Sequence, residues 1–411
     1  MNTKDLDSDI IIIGAGPSGA VAAALLRKHG YEVTILEKQH FPRFSIGESL
    51  LPQCMEFLDE AGMTDVIQDA GFQYKNGAAF HYDGKNSAFD FREKFSAGWG
   101  TTFQVQRAHF DHLLAQEAEK QGAAIRYGHE ITEADFSGER PWLKVRTDDG
   151  QEYEARGRFV LDASGFGRVL PRLLDLETPS EFPVRMSLFT HVEDNISHPA
   201  HDRDKILITV HPERRDVWFW LIPFGNGRCS LGVVAKPEFI ESRDGEPMQV
   251  LQEIVGEDPN LSALLANAQW DTPARQIRGY SCNVKQLHGN NYALLGNAAE
   301  FLDPVFSSGV TIAMKSASLA ADTLHRQFSG GSVDWHKEYA EPLMIGVDTF
   351  RTYVEAWYEG TFQDVVFAEN PSAPVREMIS SILAGYAWDT KNPYVSEGRR
   401  RLGTLAELCR T

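Results

Sequence analysis

Four groups of residues in this 411-residue chain have types and spacings that could do chemistry. The first is the glycine set of GAGPSG, Gly14, Gly16 and Gly19. Gly14 permits a tight turn, Gly16 leaves no side chain between the backbone and a pyrophosphate, and Gly19 lets a helix pack closely on a strand. The helix that opens at Pro17 and Ser18 then turns its positive end toward the phosphates. Glu37 lies 23 residues after Gly14, followed by Lys38, at the end of the next β-branched run. A carboxylate there accepts both ribose hydroxyls of an adenosine. The second group is Ser307, Ser308, Gly309 and Val310, where backbone N–H groups near a helix start can converge on an anion without a competing carboxylate. The third is Lys75, set among Phe72, Tyr74, Gly77, Ala78 and Phe80. These flanks give the amine an apolar approach, whereas a lysine read alone is a solvated surface charge. The fourth is WFWLIP, where period-two geometry puts Trp218, Trp220 and Ile222 on one face before Pro223. Those six residues alone also fit an ordinary buried sheet strand.

The elements that must position these groups are legible around them. DIIIIGAGPSGAVAAALLRKHGYEVTILEK reads as strand, glycine turn, small-residue helix and second strand, a β-α-β dinucleotide fold. Residues 139–165 read as a hairpin around TDDGQ that feeds a strand ending at Asp162. Residues 183–236 read as strand-rich, with a turn at GNGR, and an apolar helix is expected over about 310–325. From about 331 the apolar and aromatic residues recur at helical spacing. Most of them pack; Trp357, Tyr358 and Trp388 are candidates to close one end of a binding chamber. The expected architecture is α/β with an α+β second domain: a dinucleotide-binding Rossmann-like fold, which the resemblance of residues 296–324 to flavin proteins implies is the FAD-binding, three-layer one, with an inserted β-rich substrate domain and a C-terminal helical region. The expected division is a discontinuous cofactor domain over 1–180 and 281–330, a β-rich domain over 181–280 to which 71–100 contributes, and helices over 331–411.

Net charge excludes some functions. Lys+Arg 40 against Asp+Glu 58 gives −18 without long runs of one sign, which argues against nucleic acid or an anionic membrane as main partner. The widely spaced Cys54, Cys229, Cys282 and Cys409 read as free thiols in a reducing compartment, with no metal site. The first apolar run follows Asp7 and Asp9 and is short, so neither a signal peptide nor a membrane span is expected, and the expected location is cytoplasmic.

Several longer strings carry a family resemblance. GNAAEFLDPVFSSGVTIAMKSASLAADTL, from Gly296, resembles the second flavin motif of aromatic-hydroxylase-type FAD proteins, with Pro304 and Gly309 in place and Asn297 where the family usually has Asp. RFSIGES, Arg43 to Ser49, resembles the loop beside the flavin, and QRAHFDHLL brings Arg107 to a helix start near the cofactor phosphates, although read alone Arg107 also fits a solvated helix-start charge. FVLDASG ends at Asp162, but Ala163 and Ser164 break the Asp-Gly pair of NADPH-using hydroxylases, which weakens the case for a built-in NADPH site. WFWLIP is similar to the W-x-W-x-I-P signature of flavin-dependent halogenases, with Val217 in place of the common glycine, and FLDPVFSSG fits F-x-x-P-x-x-S-x-G at every fixed position. Phe306 replaces the glutamate of tryptophan halogenases, so the string looks like the branch acting on phenols and pyrroles.

That resemblance implies a reaction. Reduced FAD, delivered by a separate flavin reductase, oxygen and chloride or bromide would give hypohalous acid, with halide held by Ser307 to Val310. Lys75 would pass electrophilic halogen to an electron-rich ring, free or tethered to an acyl carrier protein, while Trp218, Trp220, Ile222 and Pro223 wall the flavin chamber. Two alternatives stay open: an FAD-dependent monooxygenase or dehydrogenase of the same fold, and a non-catalytic flavoprotein that binds or senses redox state.

Overall fold

A computed structural model describes residues 5–369 and 372–410. Its central sheet orders the strands His288–Gly289, Tyr292–Leu294, Phe159–Asp162, Ile10–Ile13, Val33–Glu37 and Ala124–Tyr127, all parallel neighbours except the first pair. The isoleucine run Ile10–Ile13 is buried on both faces, as a central parallel strand requires. The helix Pro17–Lys28 packs on one side against Gly309–Phe328 and Arg107–Lys120. Its run Ala20–Ala24 allows these backbones to approach closely. On the opposite side a second sheet joins Leu6–Asp7, Glu152–Arg156, Trp142–Thr147 and His129–Asp135, which completes three layers.

A seven-stranded sheet stands apart, in the order Arg275–Arg278, Met186–Glu193, Arg228–Ala235, Trp218–Pro223, Lys205–Val210, Gly77–Tyr82 and Lys85–Asp90. Lys205–Val210 pairs in parallel with Gly77–Tyr82, so the hairpin that follows Lys75 extends a sheet formed mainly much later in the chain. Alternation along Trp218–Pro223 splits its side chains between two cores. Trp218, Trp220 and Ile222 join the main core, while Phe219 and Leu221 pack with the helix Pro247–Gly256. The C-terminal helices Glu341–Tyr358, Ala373–Leu383 and Gly398–Cys409 lie against the main core and the Gly77–Tyr82 hairpin. Among the described residues no helix is long and apolar enough to cross a membrane. The α/β class and the three-layer cofactor fold expected from the β-α-β pattern are what the chain adopts.

Candidate active site

The glycine turn is built by sterics. Gly14 has φ +97°, and a Cβ there would sit 2.7 Å from the Ala163 carbonyl oxygen; one on Gly19 would sit 2.0 Å from that of Gly14. Gly16 differs, because a Cβ there would touch only the Arg43 guanidinium, at 3.4 Å, and its face opens into a cavity of ≈ 350 Å³. Gly16 caps the helix Pro17–Lys28 without a side-chain bond, so the first amides of that helix remain free for an anionic group. The Glu37 carboxylate accepts from the amides of Ala15 and Gln39, both at 2.8 Å. These bonds fix it against the turn and leave lone pairs for hydroxyl groups.

From this end the cavity runs past Arg43, Ser49 and Arg107 to Asn297 and Pro304. Asp111, fully buried, binds Arg107 through Nε at 2.7 Å and Nη2 at 2.9 Å, and takes Arg43 Nη1 at 3.1 Å. One buried carboxylate thus orients two guanidinium groups on the cavity wall. Arg107 also donates to the Ile46 carbonyl at 2.5 Å, which fixes the loop beside the cavity. An elongated cleft with an open glycine face, a free helix start, two held arginines and a carboxylate with spare acceptor capacity fits FAD.

At the other end lies the turn from Ser307 to Val310. Ser307 is left-handed, with φ +56°, and Ser308 caps the helix Gly309–Phe328. The Ile312 amide bonds back to the Ser308 carbonyl at 2.9 Å, so the amides ahead of it have no partner in the helix. Ser307, Gly309 and Val310 line the cavity, as do Trp218, Trp220 and Ile222. The indoles of Trp218 and Trp220 stand 6.0 Å apart, and Trp220 Nε1 donates to Ser230 Oγ at 3.0 Å.

A network absent from the sequence reading supports that wall. Trp218 Nε1 donates to Tyr358 Oη at 3.0 Å, and Tyr358 Oη donates to Asp303 Oδ2 at 2.8 Å. Tyr280 Oη donates to the same oxygen at 3.4 Å, while Asp303 Oδ1 caps Val305 N–H at 3.1 Å. Burial pushes Asp303 up to about 6, against the lowering effect of the Tyr358 hydroxyl. The Arg185 guanidinium stacks 3.8 Å from the Tyr358 ring centre. Asp303 therefore ties the turn ahead of Ser307 to Trp218.

Lys75 ends the strand Gln73–Lys75 and is completely buried. Its ammonium donates to Ser49 Oγ and to the Leu50 carbonyl, both at 2.7 Å, and lies 5.5 Å from the Phe91 ring centre. Ser49 is itself cavity wall, so the amine stands one side chain behind it. Burial lowers Lys75 from 10.5 to about 7. Cys54, whose thiol burial keeps protonated, contacts Thr311 Oγ1 at 3.2 Å and so joins this corner to the helix that opens at Gly309. Beyond Phe306 lies an aromatic box, with Trp357 and Phe362 at 5.9 and 5.4 Å between ring centres. Trp357 Nε1 and Tyr353 Oη are buried there without hydrogen-bond partners.

Some expected contacts lie elsewhere. Lys38 points outward and pairs with Glu130 at 2.7 Å. Asp162 is sealed behind the turn, its oxygens taken by the amides of Ser164 at 2.9 Å and Leu170 at 2.7 Å, so it caps a helix start instead of reaching the cavity. Gly19, Gly296, Pro223 and Ser308 are not part of the cavity lining. Trp388 Nε1 is consumed by the Leu343 carbonyl at 3.0 Å, which makes it packing.

Fold and site define a flavoprotein: residues 7–341 match the FAD binding domain family, and the chain belongs to it. FAD is its cofactor. The relatives include flavin-dependent halogenases, as the motifs led one to expect. A tryptophan 2-halogenase of Chondromyces crocatus is 31% identical over 341 residues, 79% of this chain; the chain spans 62% of that protein's length. A 1H-pyrrole-2-carbonyl peptidyl-carrier-protein chlorinase of Pseudomonas fluorescens is 28% identical, covering 98% of this chain and 95% of its own. Among solved structures, a flavoprotein/dehydrogenase of Cytophaga hutchinsonii superimposes with TM-score 0.95 at 42% identity, over 98% of this chain and 99% of that one.

Proposed function

We propose that this protein is an FAD-dependent halogenase that acts on an electron-rich phenol or pyrrole, presented on a carrier protein, with reduced flavin supplied by a separate reductase. The observation that carries the reading is Lys75: a fully buried amine, brought to about 7, one hydroxyl away from the flavin cavity. Bound FAD, once reduced, supplies the electrons that activate oxygen. The chain's own residues do the rest. The amides at the start of Gly309–Phe328 hold halide, and the Trp218, Trp220 and Ile222 face keeps organic substrate and bulk water out of that end. Hypohalous acid meets the Lys75 amine beyond Ser49. Near neutral pH a lysine with this value populates both forms, so it can hydrogen-bond the acid as ammonium, or as free amine take up halogen with release of water. Halogen then passes to the ring carbon, whose proton leaves. The orphaned Trp357 Nε1 and Tyr353 Oη are free to bond a ring heteroatom or carbonyl inside the box.

A second reading, an FAD-dependent dehydrogenase or monooxygenase, is favoured by one observation, the description of the 42% identical relative as a flavoprotein/dehydrogenase. One experiment separates the two. The FAD-loaded protein is supplied with a flavin reductase, NADH, bromide and a simple phenol or pyrrole, and the products are weighed by mass spectrometry. Brominated ring supports halogenation. Hydroxylated or desaturated product at every bromide concentration, or NADPH oxidation without a reductase, supports the second reading.

A further inference from the structure

A second cleft, of ≈ 1020 Å³, shares no lining residue with the flavin cavity and opens between the Lys85–Asp90 edge strand and the helices Thr361–Val366, Ala373–Leu383 and Gly398–Cys409. Its floor is apolar, with Phe89, Ile379 and Leu405. Its rim carries Lys85, Arg215, Arg376, Arg400, Arg401 and Arg410. The carboxylates that oppose them are fewer. Arg215 and Arg410 share Asp364, at 2.8 and 2.6 Å, Arg400 and Arg401 share Glu397, and Glu369 is the remaining acid of the lining. Arg376 stacks 4.3 Å from the Phe89 ring centre, donates to the Ala88 carbonyl and has Glu93 as the carboxylate acting on its charge. In a chain of net charge −18 such an excess of cations is a local feature that repels cationic partners and draws in acidic ones.

The position of this cleft gives the charge a purpose. Phe89 lines the cleft, and Phe91, in the turn just past the end of the same strand, is the ring 5.5 Å from the Lys75 ammonium. Phe80 continues the partition, with its ring centre 6.0 Å from Phe89 and 5.9 Å from Trp357. The rings of Phe89, Phe80 and Phe91 therefore stand between the cleft and the lysine.

We propose that this basic cleft is the docking port for an acidic carrier protein, whose phosphodiester is met by the Arg400, Arg401 and Lys85 rim while its acylated arm passes the Phe89 layer toward Lys75. The proposal rests on the carrier-presented substrate of the function proposed above. Docking on this side lets the ring arrive at the amine without entering the flavin cavity.

The test uses full-length, FAD-loaded protein and a holo peptidyl-carrier protein charged with pyrrole-2-carboxylate, with binding read by fluorescence anisotropy at several salt concentrations. Carrier binding to the wild type should weaken as salt rises. The exposed double variant R400E/R401E and, separately, K85E should each raise Kd at least tenfold and flatten the salt dependence, while bromination of a free phenol stays at the wild-type rate. Equal carrier affinity in wild type and both variants overturns the port, as does absence of carrier binding to the wild type. If instead charge reversal abolishes carrier binding but neither free nor carrier-bound rings are halogenated, the port stands and the proposed chemistry fails.

Discussion

Replacing Lys75 by methionine removes the amine while nearly keeping its volume, and the burial of Lys75 fixes what should follow. The fall from 10.5 to about 7 is about 3.5 pH units, so holding the ammonium in the folded protein costs about 4.8 kcal/mol at 1.36 kcal/mol per unit. The bonds to Ser49 Oγ and the Leu50 carbonyl offset part of this; without them the carbonyl is left unpaired, at a cost of about 1–3 kcal/mol. Near pH 7 and below, Lys75→Met should therefore be more stable than wild type by roughly 2–4 kcal/mol, the difference of these two costs. Between pH 7 and 10.5 the unfolded chain binds a proton at this lysine that the folded protein has released. Wild-type stability relative to the variant therefore rises with pH through that window. By pH 10.5 the advantage should be gone, with the variant the less stable because it still lacks the two bonds. The assay is urea unfolding of the FAD-free protein, wild type beside variant, at intervals from pH 6 to 10.5. A stability difference that does not change with pH, or a variant already weaker at pH 7, refutes the argument.

Three further outcomes follow from the same geometry. Gly16→Val projects a side chain into the open cavity face, so the purified protein should lose bound FAD, read as flavin absorbance per chain, while the circular dichroism of the apoprotein is unchanged. Asp303 ionises as pH rises through about 6 and then places a second negative charge at the base of the turn from Ser307 to Val310. Bromide affinity, followed by quenching of bound-flavin fluorescence, should fall through that range in wild type and stay flat in Asp303→Asn. Tyr358→Phe deprives Trp218 Nε1 of its acceptor and Asp303 of a donor, at about 1 kcal/mol for each bond, and should move the bromide midpoint to higher pH.

What the sequence revealed and what it concealed divide along the range of the interactions. The β-α-β turn is legible because Gly14 and Gly19 answer contacts with the adjoining strand end and the turn itself while Gly16 faces the cavity, and the face of Trp218, Trp220 and Ile222 follows from a two-residue period. Asp111 was within reach, since it stands one helical turn after Arg107, yet its hold on Arg43 depends on a loop 68 residues away. The Asp303 network has no local signature. Its hydroxyls come from positions 23 and 55 residues distant, one before and one after the turn from Ser307 to Val310, and only packing brings them together. Lys38 and Asp162 show the opposite failure. Both stand at ends of parallel strands, where cofactor contacts are expected, but Lys38 finds Glu130 on the surface and Asp162 is consumed as a cap. The aromatic flanks of Lys75 hinted at burial; its partners Ser49 and Leu50 lie in a loop that sequence periodicity does not place.

In the proposed function Lys75 moves halogen and does not serve the flavin. The most direct test of that role compares wild type and Lys75→Ala in one reaction with reduced FAD, oxygen, bromide and an electron-rich phenol, recording FAD content, oxygen uptake and brominated product together. Equal FAD content and equal oxygen uptake are expected, with brominated product in the wild type alone. Bromination by Lys75→Ala at the wild-type rate would contradict that role.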